Sequence, residues 1–249
     1  MPGELLVADL DMPSSVYGVH GAAGLTRWRS LAGGKGLRGP YEAVEWACIP
    51  PGGLSGEHLH SRTEEVYVLL AGEGEAILNG RPQPVRAGEL ILTGLGATHG
   101  LRNVGSEPLS WLTLEIPAPR IVALTRSQRK ESMSMQVPDG MAKVVDLGHE
   151  LDVDPRPVLQ GPLRRIRMLQ VAPGTSLDLT GRDFEHTVFV LDGRGSALSQ
   201  SVTVPVRQGT AVTTSGGEDL RLVADAEGLR VVCASFAISL PPLEGGGMR

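Results

Sequence analysis

The sequence predicts an all-β protein built of two like domains, and three observations carry that reading. Short runs of apolar residues, some alternating with polar ones, are separated by turn signals at close spacing, without a sustained helical period. Glycine (33 residues) and proline (18 residues) are both frequent among the 249 residues, as a chain of many short strands and turns requires. The second half of the chain repeats the first in nearly one register, the mark of an internal duplication.

Residues 1–24 are mixed and assigned no element. Residues 26–31 alternate as a short strand, and the glycine-rich stretch 32–40 is a loop. That loop lacks the spacing of a phosphate-binding loop, and no helical pattern follows it. Residues 41–49 form the next strand, ended by Pro50-Pro51-Gly52-Gly53. A strand carrying His58 and His60 follows, then a strand over 65–70, a turn at 71–74, and a strand over 75–78. Asn79-Gly80 closes a hairpin. Val85 leads to Gly88, and strands over 89–93, 100–103 and 109–116 complete the first half. Residues 124–142 are polar and basic around Arg126, Arg129 and Lys130, and Pro138-Asp139-Gly140 is a turn signal. They read as a solvated linker.

The repeat pairs Pro40 with Pro162, Pro51-Gly52 with Pro173-Gly174, and Gly72-Glu73-Gly74 with Gly193-Arg194-Gly195. It also pairs Pro84-Val85-Arg86 with Pro205-Val206-Arg207, and Gly88 with Gly209. The expected division is a first domain over 1–123, a linker over 124–142, a second domain over 143–241, and a disordered glycine-rich tail over 242–249.

A net charge of −5 gives no electrostatic reason to expect nucleic acid or an anionic membrane as partner. No apolar run approaches the roughly 20 residues of a membrane span, and the first residues lack the basic and apolar regions of a signal peptide. Cys48 and Cys233 are the only cysteines and lie far apart, so a reducing cytoplasm is the expected compartment. No helix-turn-helix accompanies the strands.

The chemistry concentrates between Gly52 and Asn103. His58 and His60, two apart on a strand, project from one face. Glu65 opens the next apolar run, and His99 arrives from a later strand. Three imidazoles and a carboxylate brought in from separate strands are donors that suit a divalent transition metal.

These residues carry a resemblance to the cupin superfamily. Gly52, His58, His60, Glu65 and Gly72 match its first motif, and Gly88, Gly96, His99 and Asn103 its second. The departure is Gly94, where the family usually has proline, expected to loosen a turn. The resemblance implies two jelly-roll β-barrels in tandem, a bicupin, with His58, His60, Glu65 and His99 holding one metal in the first barrel. Iron is the first assignment for the ion, with manganese, zinc, nickel, cobalt or copper as alternatives. Similar cupins include dioxygenases, oxalate-handling enzymes, lyases and sugar-phosphate isomerases, so a small-molecule substrate is implied. An Fe(II)-dependent dioxygenase is the leading assignment; a non-oxidative lyase or isomerase, or a binding-only cupin, is the rival.

Around the ligands, the gap to Gly72 selects Glu65 over Glu64, which should point to the opposite face and be solvated. Tyr67, two residues beyond Glu65, should share its interior face, as a catalytic group or as a core aromatic. Glu45 and Glu115 are expected to point outward, because an unpaired interior carboxylate is costly. Cys48 is expected in the core, and His20 and His149 carry no motif. In the second half the ligand positions become Thr180, Arg182, His186 and Leu220, and Asn103 becomes Ala224. Arginine is no neutral donor and leucine cannot ligate. That barrel should hold no catalytic metal and serve structure, substrate access or homodimer formation.

Overall fold

The structure, a computed structural model, describes residues 5–21, 24–33, 42–118, 140–200, 202–215 and 217–239. The tail expected over 242–249, and most of the loop over 32–40 and of the linker over 124–142, lie outside the described residues.

The described residues form nineteen strands. β1 (Leu6–Asp9) and β2 (Ser14–Tyr17) precede β3 (Leu25–Gly33), β4 (Ala43–Ile49), β5 (Leu54–Leu59), β6 (Thr63–Ala71), β7 (Glu73–Leu78), β8 (Arg81–Arg86), β9 (Glu89–Thr93), β10 (Thr98–Arg102) and β11 (Leu109–Pro117). The second half contributes β12 (Ala142–Asp146), β13 (Asp152–Val153), β14 (Leu163–Val171), β15 (Ser176–Leu179), β16 (Phe184–Ser199), β17 (Val202–Arg207), β18 (Thr210–Thr213) and β19 (Leu220–Ala237). One turn of α-helix, Leu147–Glu150, is capped by Asp146, whose side chain accepts from His149 N. No helix among the described residues is long and apolar enough to cross a membrane.

The first barrel is two sheets, ordered β12-β9-β6-β11-β4-β3-β2 and β5-β10-β7-β8. The Asn79-Gly80 hairpin forms as expected, with both residues at positive φ (48° and 72°), the twist that a two-residue hairpin needs. Gly72, at φ 83°, turns the chain from the large sheet into the small one. A Cβ there would stand 2.6 Å from Pro108 O, so no larger residue fits. In the second barrel β16 and β19 instead run long and bent, joining all eight strands, β1 among them, into one sheet.

Each barrel has its own core, and a further apolar layer lies between the two. The middle layer joins Val66, Val68, Leu112 and Leu114 of the first barrel to Ile166, Phe189, Val232 and Phe236 of the second. Period-2 alternation explains how β6 serves both layers: Tyr67 and Leu69 face the first barrel's interior, while Val66 and Val68 face the middle layer. The halves also exchange edge strands. β1 pairs with β18, from Leu6↔Thr213 to Asp9↔Thr210, and β12 pairs with β9, from Ala142↔Thr93 to Asp146↔Glu89. Two strands thus cross the division drawn from the repeat, and residues 1–24, left without elements by the sequence, hold β1 and β2.

Two expectations are corrected where the halves meet. Glu64 does point away from Glu65, but it is buried at 1% exposure, not solvated. Its carboxylate accepts from Gln160 N at 2.9 Å and Gly161 N at 2.8 Å, tying the second half to β6. Burial raises its pKa, and those two N–H groups pull it back down. Gly94 does not loosen its turn. Its N–H donates to Met141 O at 2.9 Å, a bond proline cannot make, and a Cβ there would lie 2.7 Å from Val158 O. Glycine fits this turn because Met141 and Val158 pack onto it.

Both contacts can be measured. Glu64→Ala leaves two buried N–H donors unpaired and should cost about 3 kcal/mol, read by chemical denaturation. Gly94→Pro should also destabilise the chain, by about 1–3 kcal/mol, although it restores the family residue. A neutral result for either would mean that the contact is replaced by solvent.

Candidate metal centre

Three strands deliver the cluster. His58 lies near the end of β5 and His60 just beyond it, Glu65 lies in β6, and His99 in β10, where it pairs directly with His58. The motif glycines shape these approaches: Gly52, Gly88 and Gly96 all take positive φ (75°, 92° and 88°). Asn103 pins the two strand ends, donating from Nδ2 to Ile49 O at 3.1 Å and Glu107 O at 2.8 Å and accepting from Gly105 N at 3.0 Å.

The four side chains converge, one ligand atom from each, within 4.8 Å of one another. Glu65 Oε2 lies 2.8 Å from His99 Nε2, 3.5 Å from His60 Nε2 and 3.9 Å from His58 Nε2. Outer contacts set the tautomers. His58 Nδ1–H donates to Gly56 O at 3.1 Å, which leaves Nε2 as a lone-pair donor turned to the centre. Thr93 Oγ1 lies 2.9 Å from His99 Nδ1 and can accept its proton, with the same result. His60 Nε2, Glu65 Oε2 and His99 Nε2 are buried without a hydrogen-bond partner. Orphaned buried polar atoms are rare in a folded protein, and a shared cation satisfies all three together.

Electrostatics agree. Burial, followed by the neighbouring imidazoles, lowers the pKa of His60 and of His99 to about 3, so both rings are neutral donors at pH 7. Burial raises Glu65 to about 8; His58 opposes this and Glu45 adds to it. Three imidazole nitrogens and one carboxylate oxygen form a donor set for a divalent transition ion, and they fit the group that the motif implies. Such a set leaves positions free on an ion that accepts five or six ligands.

Other candidates also fall into place. Tyr67 is buried on the same interior face, its ring 4.5 Å from that of His99 and 5.2 Å from that of Trp111. Burial, then the charge of Glu65, raises the phenol pKa well above its usual value, so the hydroxyl keeps its proton. The outward expectation for Glu45 and Glu115 is overturned. Glu115 pairs with Glu65, and Glu45 pairs with Thr113, which itself pairs with Tyr67, so both carboxylates share the inner face. They are tolerated because neither is fully buried and each has a hydrogen-bond partner, Trp28 for Glu45 and Thr63 for Glu115. Trp28 Nε1 donates to Glu45 at 2.8 Å, while burial and then Glu65 raise Glu115 to about 7. Alternation could not reveal this, because Val44, Trp46 and Ile49 make β4 apolar on both faces. Cys48, expected in the core, is half-buried.

His20, unmarked by any motif, is the residue that sequence reasoning missed. It stacks on His58, ring centroids 3.7 Å apart and planes 8° apart. Burial, then His58 and His99, lowers its pKa to about 4. In the second barrel His186 has both nitrogens engaged, by Ser235 Oγ at 3.0 Å and Thr180 O at 2.8 Å. Leu220 is buried and Arg182 exposed, and the described residues hold no second ligand cluster.

Comparison with known proteins bears on this geometry. Residues 45–115, the segment that carries the four side chains, match the family model described as Cupin domain. The chain is an all-β protein of two jelly-roll barrels in tandem. An oxalate-binding protein of Thermotoga maritima is 28% identical over 104 residues, covering 42% of this chain and 86% of that protein. The solved structure of YlbA from E. coli aligns over 96% of this chain and 93% of its own, with a TM-score of 0.72 at 13% identity. Salicylate 1,2-dioxygenase from Pseudoaminobacter salicylatoxidans aligns over 85% of this chain and 74% of its own, with a TM-score of 0.61 at 15% identity. At these identities the two structures share the fold.

Because burial lifts Glu65 to about 8, it is protonated at pH 7 and must lose that proton to ligate a metal. Metal uptake at pH 7 should therefore release roughly one proton, and less as pH rises through 8. Calorimetry of zinc binding in buffers of different ionisation enthalpy measures it; no release at pH 7 would show a carboxylate already charged.

Proposed function

We propose that the chain is a metal-dependent enzyme that converts a small organic molecule in its first barrel, with oxygen-dependent oxidation on Fe(II) as the leading reaction. The observation that carries this reading is the convergence of His58, His60, Glu65 and His99, with three of their buried donor atoms orphaned. A bound ion would supply open coordination positions and Lewis acidity. The chain's own residues would do the rest. Tyr67, holding its proton beside His99, would donate a hydrogen bond to bound substrate or lend it a proton. Glu115 and Glu45, on the same inner face, would accept from substrate donors. Leu69, Ile91 and Trp111 on that face exclude water.

A second reading has one observation in its favour. The curated relative named above is an oxalate-binding protein, which supports a cupin that holds a small ligand without turnover. A non-oxidative lyase or isomerase on zinc, manganese or nickel uses the same donor set. We assign the chain to a reducing cytoplasm, on the two unbonded cysteines.

Metal analysis of the protein as isolated, followed by oxygen uptake with Fe(II) over a panel of small acids, phenols and amines, separates these readings. We expect about one ion per chain and substrate-dependent uptake. Tyr67→Phe should keep the ion and lower turnover about 100-fold. Protein without metal, and a His58→Ala variant indistinguishable from wild type, would sink the enzyme reading. Metal without oxygen uptake would move it to the non-oxidative branch.

A further inference from the structure

The three imidazoles of the cluster are restrained unequally. His60 and His99 are buried, whereas the His58 side chain is 21% accessible. Burial alone therefore does not lock its ring. One restraint is the bond from Nδ1 to Gly56 O. The other is His20, stacked in parallel at 3.7 Å. His20 occupies the left-handed region, with φ 52° and ψ 38°, costly for a residue with a Cβ, so its flanking segments must hold it there.

Those flanks are anchored on both barrels. Upstream, β1 adds to the second barrel's sheet at β18, and Thr210 Oγ1 donates to Asp9 at 2.6 Å. Arg207 donates to both carboxylate oxygens of Asp11, at 2.9 and 2.7 Å. The chain then crosses to the first barrel, where β2 pairs with β3 from Ser14↔Trp28 to Tyr17↔Leu25. The short 3-10 turn Val19–Gly21 next lays His20 against β5.

We propose that His20 is a positioning residue for the metal centre, fixing the ring of its most exposed ligand, and that anchoring the strap that carries it is what the second barrel contributes to the site. The proposal rests on metal binding in the first barrel and on no particular reaction. Outer contacts that orient a ligand are typically worth about 10- to 100-fold in metal affinity.

The test uses the full chain loaded with Co(II), read by its visible spectrum and by the rate of metal loss to a chelator. His20→Ala should release the ion about tenfold faster and shift the visible bands. His20→Phe, which keeps a stacking ring without nitrogens, should stay within about twofold of wild type. At the far anchor, Val7→Pro and Ala8→Pro each place proline in an edge strand. The one that removes a ladder N–H should reproduce His20→Ala, with far-UV dichroism unchanged. Release from His20→Ala at the wild-type rate would overturn the proposal. His20→Phe as fast as His20→Ala would also overturn it, by giving the role to a nitrogen instead of the stack. Two silent proline variants would remove the second barrel's part. Wild-type protein that takes up no Co(II) would instead refute the metal reading beneath it.

Discussion

Strand β6 is buried on both faces, and that constraint organises the molecule. With side chains alternating strictly, consecutive residues must satisfy two different environments. Glu64 and Glu65 show the consequence. One carboxylate faces the second half and accepts two backbone N–H bonds there; the other faces the barrel interior and meets three imidazoles. Neighbouring residues of one type therefore have unrelated functions, separated only by the pleat. A slip of one residue would put the ligand in the interface and the latch in the site.

The comparison of the two barrels sharpens what counts as a site. The scaffold is common to both, down to the positive-φ glycines Gly88 and Gly209, or Gly72 and Gly193. Their interiors differ. Where the first barrel has Glu65, the second has His186, with both ring nitrogens bonded to protein groups. Glu115 faces Glu65 across one strand pair, and Ser235 faces His186 across the equivalent pair. The second barrel satisfies its histidine internally, whereas the first leaves ligand atoms unpaired at its centre. That contrast separates a ligand set from a polar remnant more directly than residue type does.

What could be read from the sequence divides along the range of the interactions. The convergence of His58, His60, Glu65 and His99, the Asn79-Gly80 hairpin and the interior placement of Tyr67 depend on spacing within or between neighbouring strands, and all were legible. Glu64, Gly94 and β1 were misread or missed because their partners lie far along the chain, at Gly161, at Val158 and Met141, and at Thr213. Glu45 and Glu115 failed for another reason. Their strands carry apolar residues on both faces, so polarity no longer reports which face is inside.

The same reasoning explains why the second barrel can pack as it does without a ligand cluster among its described residues. The middle apolar layer needs both large sheets, since Val66, Val68 and Leu112 would otherwise be exposed to water. The exchange of β1 and β12 binds each sheet to a strand from the other half. Within the second barrel, Leu220 is buried and pairs with Leu179, and Thr180 O holds His186, so these positions serve packing and hydrogen bonding. The candidate metal centre lies in one barrel, while the packing of the fold requires both.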